Sequence, residues 1–301
     1  MEENIVENVL LFGASRGGRN FMKNYAGNYN YLAIIDNDEK KRGKLLDNIE
    51  IILPSQILEF SYDKIIVTSM YVNSIKKQLI ELDIPLNKIE YASKNSMKMD
   101  EFPFENPQVV KKAVRLMNKI TEALDDIPHF YTFGTLLGIV RDSRLIPWDD
   151  DIDVAIFSTD VKRIEQALLN YCEEFEKLFD IQLYTRIYST GKPASITLDL
   201  LENNKKIFHV NFDCMYEDGE IIKQELNDTP KHFFEEYTNF EFEGNQLPVP
   251  KNYEAYLDYS YGDWHIVKRD TSFADNTISF REPLYSCSNE ELYKTIKLAE
   301  V

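Results

Sequence analysis

Residues 144–157 read RLIPWDDDIDVAIF, and the two halves of the stretch differ sharply in character. Asp149, Asp150, Asp151 and Asp153 fall within five positions, and Val154, Ala155, Ile156 and Phe157 follow as an apolar run of the kind that buries as a strand. On an extended chain alternate side chains leave opposite faces. Asp149, Asp151 and Asp153 then leave one face and Ile152, Val154 and Ile156 the other, with Asp150 at the strand's mouth. The apolar set anchors the strand while three carboxylates converge. Converging carboxylates repel and resist desolvation, and a divalent cation removes both costs. Hard oxygen ligands at close quarters suit Mg2+ or Mn2+. The bland alternative is a solvated acidic turn ahead of a strand.

Residues upstream weigh against that alternative. FGTLLGIVRDSRLIPW spans 133–148. Gly134 and Thr135 form a small-residue turn whose backbone N–H groups can face a phosphate. Gly138 permits a close approach, and Arg141 offers a planar, permanently charged fork for phosphate oxygens. A phosphate cradle followed by an alternating aspartate strand suits metal-dependent phosphoryl transfer.

The block GTLLGIVRDSRLIPWDDDIDVAIF, residues 134–157, resembles the signature of the LicD family, phosphocholine transferases of bacterial glycans related to the fukutin-type transferases of animals. LPVPKNYEAYLDYSYGDW, residues 247–264, resembles the same family, and the likeness spans roughly 107–264. It implies a nucleotidyltransferase fold, with Gly134-Thr135 as its turn, Asp151 and Asp153 as its Asp-x-Asp pair and Asp149 extending the pair. The fold implies a further carboxylate on a later strand, for which Asp213 in IFHVNFDCMY is preferred and Asp199 in SITLDLL competes. The resemblance makes Asp149, Asp151, Asp153 and Asp213 the catalytic, Mg2+-binding set, and places Gly134, Thr135 and Arg141 on the donor phosphates. The implied reaction passes a phospho-alcohol group, phosphocholine from CDP-choline foremost, to a hydroxyl of a lipopolysaccharide, teichoic acid or capsule precursor, releasing CMP. Asp213 would serve as general base or metal-anchored orienter. Two rivals remain: a nucleotidyltransferase of the same fold releasing pyrophosphate, and a non-catalytic nucleotide-sensing protein.

The first hundred residues have another rhythm. NVLLFGAS (8–15), YLAIIDND (31–38) and YDKIIVTS (62–69) read as buried strands separated by helical patterns, which predicts βαβ units and a parallel sheet. Gly13 to Gly18, GASRGG, follows the first strand, and Asp36 ends the second. The placement matches a dinucleotide fingerprint, with Gly13, Gly18 and Asp36 in position and Ser15 where the second glycine belongs. A tight turn without any ligand accounts for the same residues, and both readings stay open. The segment resembles the small Rossmann-like domains that precede sugar-modifying transferases in bacteria. The expected architecture is therefore an α/β Rossmann-like domain over 1–95, a polar linker over 96–106, and an α+β nucleotidyltransferase-fold catalytic domain over 107–301. That second domain opens with an amphipathic helix carrying Val110, Val114, Met117, Ile120 and Leu124.

Bulk properties bound the partners. The chain of 301 residues is 44% hydrophobic and 28% charged, as folded proteins are. A net charge of -17 excludes the basic footprint of a nucleic-acid binder and argues against general docking on anionic lipid. Cys172, Cys214 and Cys287 are odd in number and widely spaced, suggesting neither a disulfide framework nor a zinc site. His129, His209, His232 and His265 lack ligand spacing. No run approaches the ~18 apolar residues of a membrane span, and the N-terminus lacks a basic signal region. The expectation is a cytoplasmic protein, at most peripheral at the inner membrane face. Tyr261, Gly262, Asp263 and Trp264 are expected either to shape an acceptor or choline pocket or simply to pack.

Overall fold

A computed structural model describes residues 6–98, 102–225, 227–275 and 293–300, the side chains of 293 and 300 aside. Cys287 lies outside these residues. The chain divides into two compact units.

The first unit contains 6–98 and 268–275. Its strands are β1 (Glu7–Phe12), β2 (Tyr29–Ile35), β3 (Leu45–Leu46), β4 (Ile49–Ile52), β5 (Lys64–Val67) and β6 (Ile89–Tyr91), and its helices are α1 (Arg16–Asn24) and α2 (Val72–Glu81). The sheet order is β3-β4-β2-β1-β5-β6. Every pairing is parallel except β3 with β4. Alternate residues of each central strand enter different cores. Leu10, Phe12, Ala33, Ile35, Ile65 and Val67 pack with Val72, Ile75 and Leu79 of α2. Val9, Leu11, Ile34 and Ile66 pack with Phe21 and Met22 of α1. Both faces are covered, which is why these strands read as unbroken apolar runs. Asn20 and Asn24 of α1 donate to the carbonyls of Met97, Ser96 and Lys98, so 96–98 belong structurally to this unit although the sequence placed them in a linker. Residues 268–275 return to the same unit. The Lys94 N–H donates to the Thr271 carbonyl at 2.8 Å, and Ser93 bridges Ser272. The sequence reading had assigned that segment to the second domain.

The second unit contains the remaining described residues. It runs α3 (Pro107–Ala123), β7 (His129–Tyr131), α4 (Phe133–Asp142), β8 (Asp151–Phe157), α5 (Val161–Asn170), α6 (Cys172–Glu176), β9 (Asp180–Tyr188), β10 (Pro193–Glu202) and β11 (Lys205–Asp218). Then come β12 (Ile221–Lys223), β13 (Asp228–Pro230), the hairpin β14 (Tyr237–Phe242) and β15 (Asn245–Pro250), α7 (Tyr253–Tyr261), and finally β16 (Tyr293–Glu300). Asn106 caps α3 by accepting from the Gln108 N–H, with Pro107 at the first helical position. Val114, Met117, Ile120 and Leu124 of the expected stripe are buried in the core with Val109 beside them, and Val110 is half-buried against it.

Most of the large sheet is antiparallel, in the order β11-β10-β9-β16. Parallel β8 flanks β11 on its other side and antiparallel β7 flanks β8. One face carries Ile152, Val154 and Ile156, all fully buried with Val210, Phe212, Leu198 and Ile196 against Ile164 and Leu168 of α5. The opposite face is polar and runs in rows across the strands. Register aligns Asp151, His209, Asp199 and Gln182, then Asp153, Asn211, Thr197 and Tyr184, then Ala155, Asp213, Ser195 and Arg186. A sheet apolar on one side and polar on the other is a platform for a site.

Candidate active site

The aspartates gather where β8 begins. The strand starts at Asp151, and Asp149 precedes it in a turn whose N–H donates to the Ile146 carbonyl at 3.0 Å. Asp149 therefore leaves the strand, contrary to the extended alternation expected. Its carboxylate joins those of Asp150 and Asp151, with one oxygen of each lying within 4.8 Å of the others. Asp150, expected only at the strand's mouth, is part of the cluster.

Gly134 shows how closely α4 meets these acids. Its N–H donates to Asp153 Oδ2 at 3.2 Å. A Cβ built on Gly134 would lie 2.5 Å from Asp149 Oδ2 and 3.6 Å from Asp153 Oδ2, so both carboxylates converge on the space this glycine leaves open. The helix N-terminus contributes partial positive charge there. Thr135 is fixed by the strand, because its hydroxyl accepts the Asp153 N–H at 2.9 Å. At the first residue of α4, Phe133 holds φ at +44°, a left-handed value costly for a bulky residue. That bend turns the chain so that the Gly134 N–H reaches Asp153.

Oxygen donors grouped this way, with the glycine cradle beside them, fit a hard divalent cation. Asp149, Asp150 and Asp151 are the residues that would hold it, with Asp153 adjacent.

The other expected residues lie further apart. Arg141 sits at the far end of α4, seven residues or ~10 Å of helix axis from Gly134. Its guanidinium binds the Asp142 carboxylate in a bidentate pair at 3.0 and 2.7 Å, and it is nearly buried. Asp213 lies on β11, four residues beyond His209, the partner of Asp151, hence ~13 Å along the strand. Burial pushes its carboxyl up to about 7, with the nearby Glu225 charge adding to the effect, while Asn211, donating at 2.8 Å, and Arg186 work against it. Asp199 is engaged otherwise, in an ion pair with Lys206 at 2.6 Å and accepting from the Tyr184 hydroxyl at 3.2 Å.

α7 brings two tyrosines to the acids. Burial raises the Tyr261 phenol well above its ordinary value, and the charges of Asp153, Asp149 and Asp151 raise it further. Burial likewise raises Tyr256, with smaller contributions from Asp153 and Asp213. Both hydroxyls stay protonated, and the Tyr256 hydroxyl is buried. The sequence singled out Tyr261 and missed Tyr256. Trp264 of the same block is packed, its indole N–H donating to Asp258 at 2.9 Å. His209 Nε2 stands 4.0 Å from Asp151 Oδ2, a neighbour that only sheet register reveals.

In the first unit the glycine turn has a packing explanation. Gly13 adopts φ +132°, and a Cβ on Gly18 would lie 2.1 Å from the Gly13 carbonyl oxygen. Asp36 accepts from the Ala14 N–H at 3.0 Å and pairs with Lys41 at 3.0 Å. Ser15 caps α1 by backbone position, without a side-chain bond.

An aspartate cluster at the start of β8, beside Gly134 in the first turn of α4, is a group of carboxylates that could hold a divalent cation. Comparison with known proteins gives the domain around it a family. Residues 126–252 match the LicD/FKTN/FKRP nucleotidyltransferase domain, so the second unit carries a LicD-family domain. Residues 5–90 match a domain described as C2185-like, N-terminal. The chain is 26% identical over 162 residues to the uncharacterized protein RP689 of Rickettsia prowazekii, covering 52% of this chain and 54% of that protein. It is 24% identical over 163 residues to the ribitol 5-phosphate transferase FKRP of Mus musculus, covering 52% of this chain and 31% of that one. The matches thus take in about half of the Rickettsia relative and under a third of FKRP. Among solved structures, ANT(2")-Ia with adenylyl-2"-tobramycin aligns over 48% of this chain and 76% of its own at 15% identity and a TM-score of 0.33. A UDP-D-quinovosamine 4-dehydrogenase from Vibrio fischeri aligns over 29% and 75% at 22% identity and 0.24. Scores this low carry no argument.

Proposed function

We propose that the protein transfers a phospho-alcohol group from a CDP-linked donor to a hydroxyl of a cell-surface glycan precursor, releasing CMP. The observation that carries this reading is the convergence of Asp149, Asp150 and Asp151 beside the Gly134 cradle, within a LicD-family domain. CDP-choline is the donor first considered. The name of the FKRP relatives adds CDP-ribitol as a second donor to try.

Asp149, Asp150 and Asp151, with Asp153 adjacent, would hold Mg2+ or Mn2+, which when bound neutralises charge on the transferring phosphoryl group. The N-terminus of α4 offers partial positive charge and its Gly134 N–H to the anionic end of the donor. Tyr261, held protonated by burial and by the charges of Asp153, Asp149 and Asp151, is the hydroxyl suited to donate to the donor phosphate. Asp213, titrating near neutrality, is suited to accept the proton of the acceptor hydroxyl as it attacks. Asp213 stands two residues along β11 from Asn211, the partner of Asp153, and in this scheme it is assigned the proton and not the metal. Arg141, committed to Asp142, fixes the end of α4 and is not given a phosphate. The alternating parallel sheet supports a Rossmann-like assignment for the first unit. Gly13, Ser15, Gly18 and Asp36 serve there as a structural turn, and nucleotide binding at them is the lesser reading. No helix among the described residues is long and apolar enough to cross a membrane, and we place the enzyme on the cytoplasmic side, where CDP-linked donors are made.

Incubation with CDP-choline, CDP-ribitol and CDP-glycerol, with and without Mg2+, tests the proposal. Mg2+-dependent CMP release supports it. Pyrophosphate released from CTP, with no CMP from any CDP-alcohol, would instead establish a nucleotidyltransferase, and no turnover of either kind would favour a nucleotide-sensing role.

A further inference from the structure

We infer that the cleft between α3 and the 144–147 loop binds a phosphate carried by the acceptor, so that the glycan receiving the new group is already anionic. The inference rests on the transferase reading for the word acceptor, while the binding itself stands on the cleft. The cleft encloses about 950 Å3, within the ~300–1,000 Å3 range of small-molecule sites. Val110, Val114, Leu145 and Pro147 give it apolar walls suited to the C–H faces of a sugar.

Three cations line it, Lys111, Arg115 and Arg144, against two acids, Glu105 and Glu243, in a chain whose net charge is -17. Lys111 and Arg115 are four residues apart on α3, where like charges destabilise a helix. Elsewhere on that helix cations are neutralised: Lys112 pairs with Glu202 at 2.5 Å and Lys119 with Glu122 at 2.9 Å. Among the described residues Lys111, Arg115 and Arg144 have no carboxylate within ion-pair distance. A concentration of unpaired positive charge that costs helix stability, set around an apolar pocket in an acidic protein, complements a ligand with one anionic group and a sugar body. Two arginines supply the planar forks that suit phosphate oxygens.

Position ties the cleft to the aspartates. A Cβ on Gly138 would lie 2.7 Å from the Arg144 carbonyl and 3.0 Å from the Ile146 nitrogen, so the loop is clamped on α4 and Arg144 has a fixed base. Pro147 lines the cleft and precedes Asp149 by two residues, at most ~7 Å of chain. The wall of the cleft and the aspartate cluster thus share one short stretch of chain, which is what links the bound phosphate to the acceptor side of the site.

Binding of glucose 1-phosphate, glucose and inorganic phosphate to the full chain is measured by calorimetry or ligand-observed NMR in EDTA, without donor. Glucose 1-phosphate should bind at least tenfold more tightly than glucose or inorganic phosphate, and more weakly as NaCl rises. Arg115→Glu and the Lys111→Glu/Arg115→Glu double variant should lose that binding at least tenfold, Arg115→Lys should largely keep it, and Asp151→Asn should keep it. These exposed substitutions are checked for folding by circular dichroism. Equal binding of glucose, equal binding of inorganic phosphate, or indifference to Arg115→Glu in a folded variant would each overturn the inference. Because no donor is present, glucose 1-phosphate binding without CMP release in the donor screen refutes the transferase reading alone.

Discussion

Replacing Asp213 by asparagine should stabilise the second unit in alkaline buffer while crippling transfer. The carboxyl ordinarily titrates at 3.8 and here at about 7, chiefly because it is buried, with Glu225 adding repulsion. The folded protein therefore retains a proton that the unfolded chain has lost. Stability from this group is fully present below the unfolded value and disappears as pH rises through 7. At 1.36 kcal/mol per pH unit, the cost of the ionised carboxylate grows from about 1–2 kcal/mol at pH 5 to ~4 kcal/mol at pH 8, and partial solvent access brings the expected figure to about 2–4 kcal/mol. Asparagine keeps the oxygen that accepts from Asn211 and removes the charge. Both tryptophans, Trp148 and Trp264, lie in the second unit, so fluorescence-monitored urea denaturation in EDTA reports that unit. The advantage of Asp213→Asn over the parent should widen between pH 5 and pH 8, while kcat falls about 10²–10⁴-fold. Parallel stability profiles for the two proteins would refute the burial argument. Unchanged kcat would refute the assigned role.

Other substitutions separate the parts of the site. Gly134→Ala places a methyl 2.5 Å from Asp149 Oδ2 and should weaken Mg2+ binding by an order of magnitude or more with modest loss of stability, read by calorimetry and CMP release. Asp151→Asn should abolish transfer while raising the melting temperature in EDTA, since one of three crowded charges is gone; a lower melting temperature would contradict the crowding. Gly18→Ala forces a methyl to 2.1 Å from the Gly13 carbonyl and should destabilise the first unit by about 1–3 kcal/mol, seen as faster hydrogen exchange across β1 and β2.

The alternation at 151–157 was legible because both faces are encoded locally: Ile152, Val154 and Ile156 bury, and Asp151 and Asp153 stay polar. The same holds for the parallel sheet of the first unit, whose runs are apolar on both sides. What escaped depends on events the period does not encode. Asp149 is pulled out of the strand by a turn back to Ile146, which brings Asp150 into the cluster. Arg141 turns to its own neighbour Asp142 at the left-handed end of α4, where Ser143 has φ +53°, a local pairing that helix spacing does not anticipate. His209 and Tyr256 reach the acids only through long-range register and helix packing. The helical stretch after β8 is likewise broken at Tyr171 into α5 and α6, which sequence spacing does not mark.

Among the described residues the polypeptide enters the first unit twice, and after 268–275 it supplies β16 to the outer side of β9 in the second. Neither lobe is one unbroken length of chain. A gene fragment stopping at residue 267 would strip a bridged segment from one lobe and uncover the hydrogen-bonding rim of β9 in the other, inviting copies to stack edge to edge. Swapping either lobe between relatives therefore requires moving the tail as well.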